Sequence, residues 1–272
     1  MAALILLVIL LLIPLLIPLL GAGAAHAVPA FAVQTSQPCA ACHVGAFGPQ
    51  LKPFGRDFKL HGYVGNDGQD HGLPLAMTTR LAFTHSGAPQ PGGAAPGFRP
   101  NDNTALETIS LYYAGKITAQ TGAFIETTFD GVAQKPHVDN VDIRHAGVGE
   151  WLGQELLWGV TANNGPTVTD PWNSTPIWGF PYNRSSLAPT PTGATLIDNG
   201  LAQRVGGAGA YLLWNDLIYA EADAYKGFDS RALSTVGQIP DAGFQSTSII
   251  PYGRLAVIRD WQQTTWRSAP MR

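Results

Sequence analysis

From Ala76 to Arg259 the chain repeatedly alternates apolar and polar residues with a period of two, and this pattern restricts its fold more than any other feature. Between Leu106 and Thr118, residues Ile109, Leu111, Tyr113 and Ile117 fall on one face of an extended chain, and Thr108, Ser110, Tyr112, Lys116 and Thr118 on the other. Ala123, Ile125, Thr127 and Phe129 oppose Glu126, Thr128 and Asp130 in the same way, and Val141 and Ile143 oppose Asn140, Asp142 and Arg144. Leu156, Trp158, Val160 and Ala162 alternate with Glu155, Gly159, Thr161 and Asn163; Ile218, Ala220, Ala222 and Ala224 alternate with Tyr219, Glu221, Asp223 and Tyr225. With Ala76–Thr84, Leu201–Trp214 and Ser248–Arg259 this makes eight candidate strands.

Their connections are unequal. Ala119-Gln120 and Asn215-Asp216 are tight turns, whereas Ser86–Asn103 and Asn164–Gly200 are long segments rich in Gly, Pro, Ser and Thr. Strands of this kind, joined by short turns on one side and long loops on the other, are the sequence form of an outer-membrane β-barrel. A soluble β-sandwich alternates as well. The supply of seven Trp and eight Tyr, with Trp151, Trp158, Trp214 and Trp261 near strand ends or on apolar faces, favours the barrel, whose interfaces carry aromatic girdles. Charged residues make up only 13% of the chain, and the net charge of −3 argues against a nucleic-acid partner, which requires a basic face.

Ala2–Leu20 is apolar throughout, and Gly21–Ala27 follows as small residues ending Ala25-His26-Ala27. This reads as a signal peptide cut after Ala27, with an uncleaved membrane anchor as the alternative reading of an apolar run this long. No Lys or Arg precedes the run, which departs from the usual leader.

Just beyond the leader stands Cys39-Ala40-Ala41-Cys42-His43, containing the only two cysteines of the chain. Two thiols separated by two residues and followed by histidine form the attachment signature of a covalent c-type haem. Cys39 and Cys42 add to the haem vinyl groups, and His43 becomes the proximal iron ligand. A structural zinc site needs four ligands, and no second Cys/His pair of suitable spacing follows. The surrounding segment, 28–73, is rich in loops, with a helix expected from Leu51 to His61 that places Leu51, Phe54, Phe58 and His61 on one face. Phe54 and Phe58 are candidates to pack on the haem. His61 and Met77 are candidates for the sixth iron ligand, an open position being the third alternative. About 45 residues bury little core alone, so this unit needs a scaffold.

The motif and its flanks then resemble a known family. Val28-Pro29-Ala30-Phe31, Gln34-Thr35, Cys39–His43, Phe47-Gly48-Pro49-Gln50-Leu51, Pro53-Phe54-Gly55-Arg56, Phe58-Lys59-Leu60 and Gly62-Tyr63 together resemble the fused monohaem cytochrome–porins of bacterial outer membranes, which include cytochromes that oxidise ferrous iron. Leu156–Asn163, Pro171-Trp172-Asn173-Ser174 and Trp178-Gly179-Phe180-Pro181-Tyr182 are similar to the barrel part of these proteins. The resemblance implies one covalent haem c in a small cytochrome unit at or in a barrel of about sixteen strands. It also implies an extracellular electron donor, with Fe²⁺ as a candidate, and a periplasmic electron carrier as acceptor, in an outer-membrane lipid environment.

The expected organisation is therefore a signal peptide (1–27), a haem-binding segment (28–73) and a mainly β portion (74–272) forming about half of an antiparallel, porin-like transmembrane barrel. An eight-stranded closed barrel is filled by its own side chains and leaves no room for a haem unit. Trp266–Arg272 also lacks the alternating aromatic end of a barrel strand. These two departures predict a truncated member with an open sheet edge after Ser248–Arg259. Two other functions compete: a porin-like structural barrel with an accessory haem, and a soluble periplasmic cytochrome with a β-domain. No nucleophile triad, phosphate-binding loop or paired-carboxylate signature points to hydrolytic chemistry, and Asp67, Asp70 and His71 read as solvated loop residues rather than an iron site.

Overall fold

The computed structural model describes residues 29–46, 48–175, 185–189, 195–240 and 246–259. The expected signal peptide, Phe47, Trp178, Trp261 and the C-terminal segment lie outside these residues. Eight antiparallel strands form one sheet in chain order: β1 (Leu75–Thr84), β2 (Asn103–Lys116), β3 (Thr121–Asp130), β4 (Lys135–Trp151), β5 (Gln154–Asn163), β6 (Val205–Trp214), β7 (Ile218–Gly227) and β8 (Ile249–Val257). Each strand pairs with its sequence neighbour. Among the described residues β1 and β8 pair on one side only, so the sheet is open and the eight strands close no barrel.

Connections of two to four residues join β2 to β3, β4 to β5 and β6 to β7 at one end of the sheet, and Leu152, Asn215 and Asp216 in these turns adopt the positive φ that tight hairpins demand. The long excursions between β1 and β2, β5 and β6, and β7 and β8 all lie at the opposite end. Trp151 and Trp214 mark the short-turn end, packed edge to face at 5.9 Å with the Trp214 indole N–H donating to the Trp151 carbonyl.

The two faces of the sheet have inverted polarity. The open face carries Leu81, Phe83, Leu111, Trp158, Val160 and Leu255, all exposed; Leu81 is 72% and Leu255 78% accessible. The covered face buries Ser110, Thr128, Asn140, Asp142, Arg144, Thr161, Asn163, Glu221 and Asp223. A soluble sheet places apolar residues against its covering layer and polar ones in water; this sheet does the reverse. The period-two assignments of β4, of β5 from Leu156 onward and of β7 hold residue by residue. In β2, however, Lys116, on the parity of Ser110 and Tyr112, is exposed, and in β3 Ala123, on the parity of Ile125 and Phe129, is buried. The strand expected to begin at Leu201 begins at Val205, because Leu196–Leu201 forms a π-helical turn that Thr195 caps by accepting from the Asp198 amide.

What covers the polar face is the N-terminal segment, built on α1 (Pro29–Thr35), α2 (Cys39–Cys42) and α3 (Pro53–Leu60). Pro53, which fits only a first turn, starts α3 two residues later than the apolar spacing implied, and Gly62 at φ +75° follows its end. The segment is bolted to the sheet by polar contacts. The Tyr63 hydroxyl donates to Asp142 Oδ2 at 2.7 Å, and the Arg144 Nε donates to the same oxygen at 2.7 Å. The Thr161 hydroxyl donates to Asp142 Oδ1 at 2.8 Å, and the Arg144 guanidinium lies 5.0 Å above the Tyr211 ring. The Tyr211 hydroxyl donates to the Leu60 carbonyl at 2.6 Å. Gln34 donates to the carbonyls of Tyr63 and Gly65 while its own oxygen accepts from the Lys116 amide.

A fourth anchor reaches a loop. The Lys59 ammonium donates to the carbonyls of Val168 and Asp170 and to Asn173 Oδ1, at 2.6–2.7 Å. Val168 lies in α4 (Pro166–Thr169), a single turn after β5. Burial and the nearby Arg144 charge bring the Lys59 pKa down to about 7, against the pull of Asp142, Asp170 and Glu221. A buried ammonium survives there because three acceptors saturate its donors.

Candidate functional site

Cys39–Cys42 forms one helical turn, so the two cysteines, three residues apart, occupy one side of it. The His43 amide closes that turn on the Cys39 carbonyl at 2.9 Å, and the chain then leaves in extended conformation. A compact loop follows: the Val44 amide donates to the Gln50 carbonyl, and the Lys52 amide to the Cys42 carbonyl. Gly45 and Ala46 turn it with positive φ. The sequence Gly-Ala-Phe-Gly-Pro is suited to this sharp reversal, which returns the chain beside His43.

Helix α3 then lies directly against the turn. A Cβ at Gly55 would stand 2.5 Å from the Cys42 carbonyl oxygen and 3.0 Å from Cys42 Cα, so only glycine permits this approach. Lys52 adds a contact by donating from its ammonium to the Ala40 carbonyl at 2.6 Å. The Leu51 amide donates to the Trp172 carbonyl, which ties the loop to the β5–β6 excursion.

Cys39, Cys42 and His43 line a cavity of about 1110 Å³ between the N-terminal segment, the covered faces of β2 to β4 and the edge strand β1, which borders it with residues of both faces. That is slightly larger than common small-molecule and cofactor pockets, about 300–1,000 Å³. Phe31, Phe58 and Tyr63 form an aromatic wall, with Phe31 5.0 Å edge-on from Phe58 and 5.3 Å stacked on Tyr63. Both cysteines are free and half-buried. Burial, and secondarily the Cys39 thiol, pushes the Cys42 pKa up to about 11, so Cys42 is a thiol and not a thiolate at neutral pH. Burial lowers the pKa of His43 against the pull of the nearby Pro49 and Gly48 carbonyls, so the ring is neutral. Its Nδ1 is enclosed and makes no hydrogen bond of good geometry.

The other expected site residues are placed as follows. Phe58 is buried and lines the cavity, and Leu51 does too. Phe54 is half-buried and does not line it. His61 caps the end of α3, held by the carbonyl and carboxylate of Asp57 at 2.9 and 3.2 Å, away from the cavity wall. Met77 is at the cavity rim, but its place in β1 puts the side chain with the open-face set, 60% exposed. Asp67 and His71 pair with one another at 2.9 Å on the surface, as solvated loop residues do.

Several cavity residues were not legible in the sequence. Arg80 enters from the covered side of β1. His137 enters from β4, where a bulge between the pairs Glu126–Asn140 and Thr127–Val138 inserts Asp139 as an extra residue. The bulge brings His137 and Asp139 together, with Nε2 to Oδ1 at 3.1 Å. Among the described residues no group of three or more His, Cys, Asp and Glu side chains is placed to hold a metal ion. No protein-family model, curated protein or solved structure matches the chain.

Proposed function

We propose that the chain is an outer-membrane c-type cytochrome that moves electrons between an extracellular donor, with Fe²⁺ as the candidate, and a periplasmic carrier. The observation that carries the reading is one wall of one cavity: two free cysteines three residues apart and a neutral histidine directly after them. A lone imidazole holds a metal only if the metal brings its other ligands with it, as a macrocycle does. The cavity volume, its aromatic wall and the Cys-Ala-Ala-Cys-His order fit a haem joined by two thioethers, with His43 as proximal ligand. When bound, such a group supplies one-electron chemistry.

The chain's own residues supply its housing. Phe31, Phe58 and Tyr63 exclude water from one side, Gly55 lets α3 back the attachment turn, and the Gly48 and Pro49 carbonyls stand ready to orient the imidazole. The raised pKa of Cys42 speaks against a redox-active dithiol, which depends on a lowered one.

The membrane assignment rests on polarity. An exposed apolar face spread over β1 to β8, backed by a buried polar face, matches a lipid-facing barrel wall and would be an aggregation liability in water. Among the described residues no helix is long and apolar enough to cross a membrane. In lipid the edges β1 and β8 both require partners, since unpaired backbone groups are not tolerated there.

Purified protein should give a pyridine haemochrome spectrum with haem retained after acid–acetone extraction, and ferrous ion should reduce it. Absence of covalent haem removes the cytochrome reading. Covalent haem that ferrous ion does not reduce favours the porin-like barrel with an accessory haem, and recovery in the soluble periplasm favours the soluble cytochrome.

A further inference from the structure

The wall of the cavity holds an arginine, Arg80, that interacts electrostatically with Glu107 but has no hydrogen-bond partner for its Nε. Ala76, Thr78, Arg80 and Ala82 face the covered side of β1, and the register shift after Arg80 leaves Glu107 of β2 as an extra residue opposite it. The Arg80 Nε is enclosed. Arginine stays charged at any working pH, so an enclosed, unmatched N–H is a standing cost unless an anion answers it.

The nearby carboxylates are already engaged. Glu107 accepts from the Ser185 hydroxyl and from the Ser186 amide and hydroxyl. Glu126 accepts from the Tyr112 hydroxyl and the Asn140 amide. Asp130 accepts from the amides of Val132 and Ala133, and Asp139 from Gln203 with His137 beside it. Thr78, Ser110 and Thr128 add hydroxyls to the same wall. The cavity therefore offers an incoming molecule the unpartnered Arg80 Nε and neutral hydroxyls, a fit for a carboxylate.

We propose that Arg80 binds a propionate carboxylate of the haem attached at Cys39 and Cys42, which makes it a cofactor-orienting and potential-setting residue; this rests on the cytochrome reading above. A cation held at a propionate favours the ferrous form and keeps the propionate ionised. The test compares wild-type protein with R80Q and R80K. Thioether attachment keeps haem stoichiometry equal in all three. In R80Q the reduction equilibrium should move about tenfold toward ferric haem, ~59 mV for one electron, and the midpoint should acquire a pH-dependent step between pH 5 and 7 as the freed propionate titrates. R80K keeps the charge but loses the bidentate fork, so its midpoint should fall between the other two, and its propionate bending band in the resonance Raman spectrum should shift from the wild-type position. Haem-loaded R80Q with the wild-type midpoint and pH profile overturns the role of Arg80 alone. Should R80Q fail to accumulate, a wild-type Raman band in R80K does the same. A wild-type protein without haem overturns both this role and the cytochrome reading.

Discussion

Tyr63, four residues beyond Lys59 and two beyond the end cap of α3, donates its hydroxyl to Asp142 at the centre of the sheet, beneath the buried Arg144. One hydrogen bond thus joins the motif-bearing segment to a fully buried ion pair. Replacing Tyr63 by Phe leaves Asp142 with its bonds from Arg144 and Thr161, and should cost about 1–2 kcal/mol. Asp142→Ala instead strands the Arg144 charge and should cost about 3–5 kcal/mol. Thermal or denaturant unfolding in detergent measures both, and equal costs would contradict the hierarchy.

Gly55 is the second lever. A methyl group there meets the Cys42 backbone at 2.5 Å, so Gly55→Ala must push α3 away from the attachment turn. Haem per protein should fall several-fold, read as the Soret-to-280 nm ratio. Gly149→Ala, where the added Cβ meets nothing within 4 Å, should leave the ratio unchanged.

The open face gives a test of environment. Leu111 is 57% exposed in the middle of β2, and Leu111→Lys on a water-facing surface should change stability by no more than about 0.5 kcal/mol. On a lipid-facing wall the same change should cost about 2–4 kcal/mol. Assembly into outer-membrane fractions and unfolding in lipid vesicles distinguish the two, and a neutral Leu111→Lys removes the membrane assignment.

His61 predicts a pH response. Burial alone would lower its pKa, but the hydrogen bond and charge of Asp57 outweigh it and bring the pKa up to about 8. A pKa raised above the unfolded value of about 6.5 adds stability that is fully present below pH 6.5 and lost as pH rises through 8. Solvent screening at this partly exposed pair holds the gain to about 1 kcal/mol. Unfolding midpoints should fall between pH 6.5 and 8.5 in the wild type, and Asp57→Asn should flatten that slope.

These tests separate what the sequence could show from what it could not. The strands were legible where one parity of side chains is buried, and β7 reads Tyr, Glu, Asp, Tyr on one face and Ile, Ala, Ala, Ala on the other without exception. The Cys39–His43 motif stood out because five adjacent residues compose it, and the structure sets Cys39, Cys42 and His43 on one cavity. The place of His61 was not. Helical spacing puts it on the apolar face of α3, but the Asp57 carboxylate four residues earlier competes for its ring, and the local ion pair wins. His137 was hidden for another reason: it is aimed by the register shift at Asp139, which depends on the neighbouring strand. Periodicity within one strand carries no trace of a bulge set by two.

The Lys59 anchor also orders events in time. Its acceptors lie 109 and 111 residues downstream, and Tyr211 meets Leu60 across 151 residues, whereas each strand pairs with its immediate successor. Neighbour hairpins close small loops and form early, while contacts that span more than a hundred residues wait for the rest of the chain. The sheet is thus expected to zip up first and the Cys39–His43 segment to dock last. During that interval the pentapeptide is accessible to whatever modifies it, and the latching of Lys59 ends the opportunity.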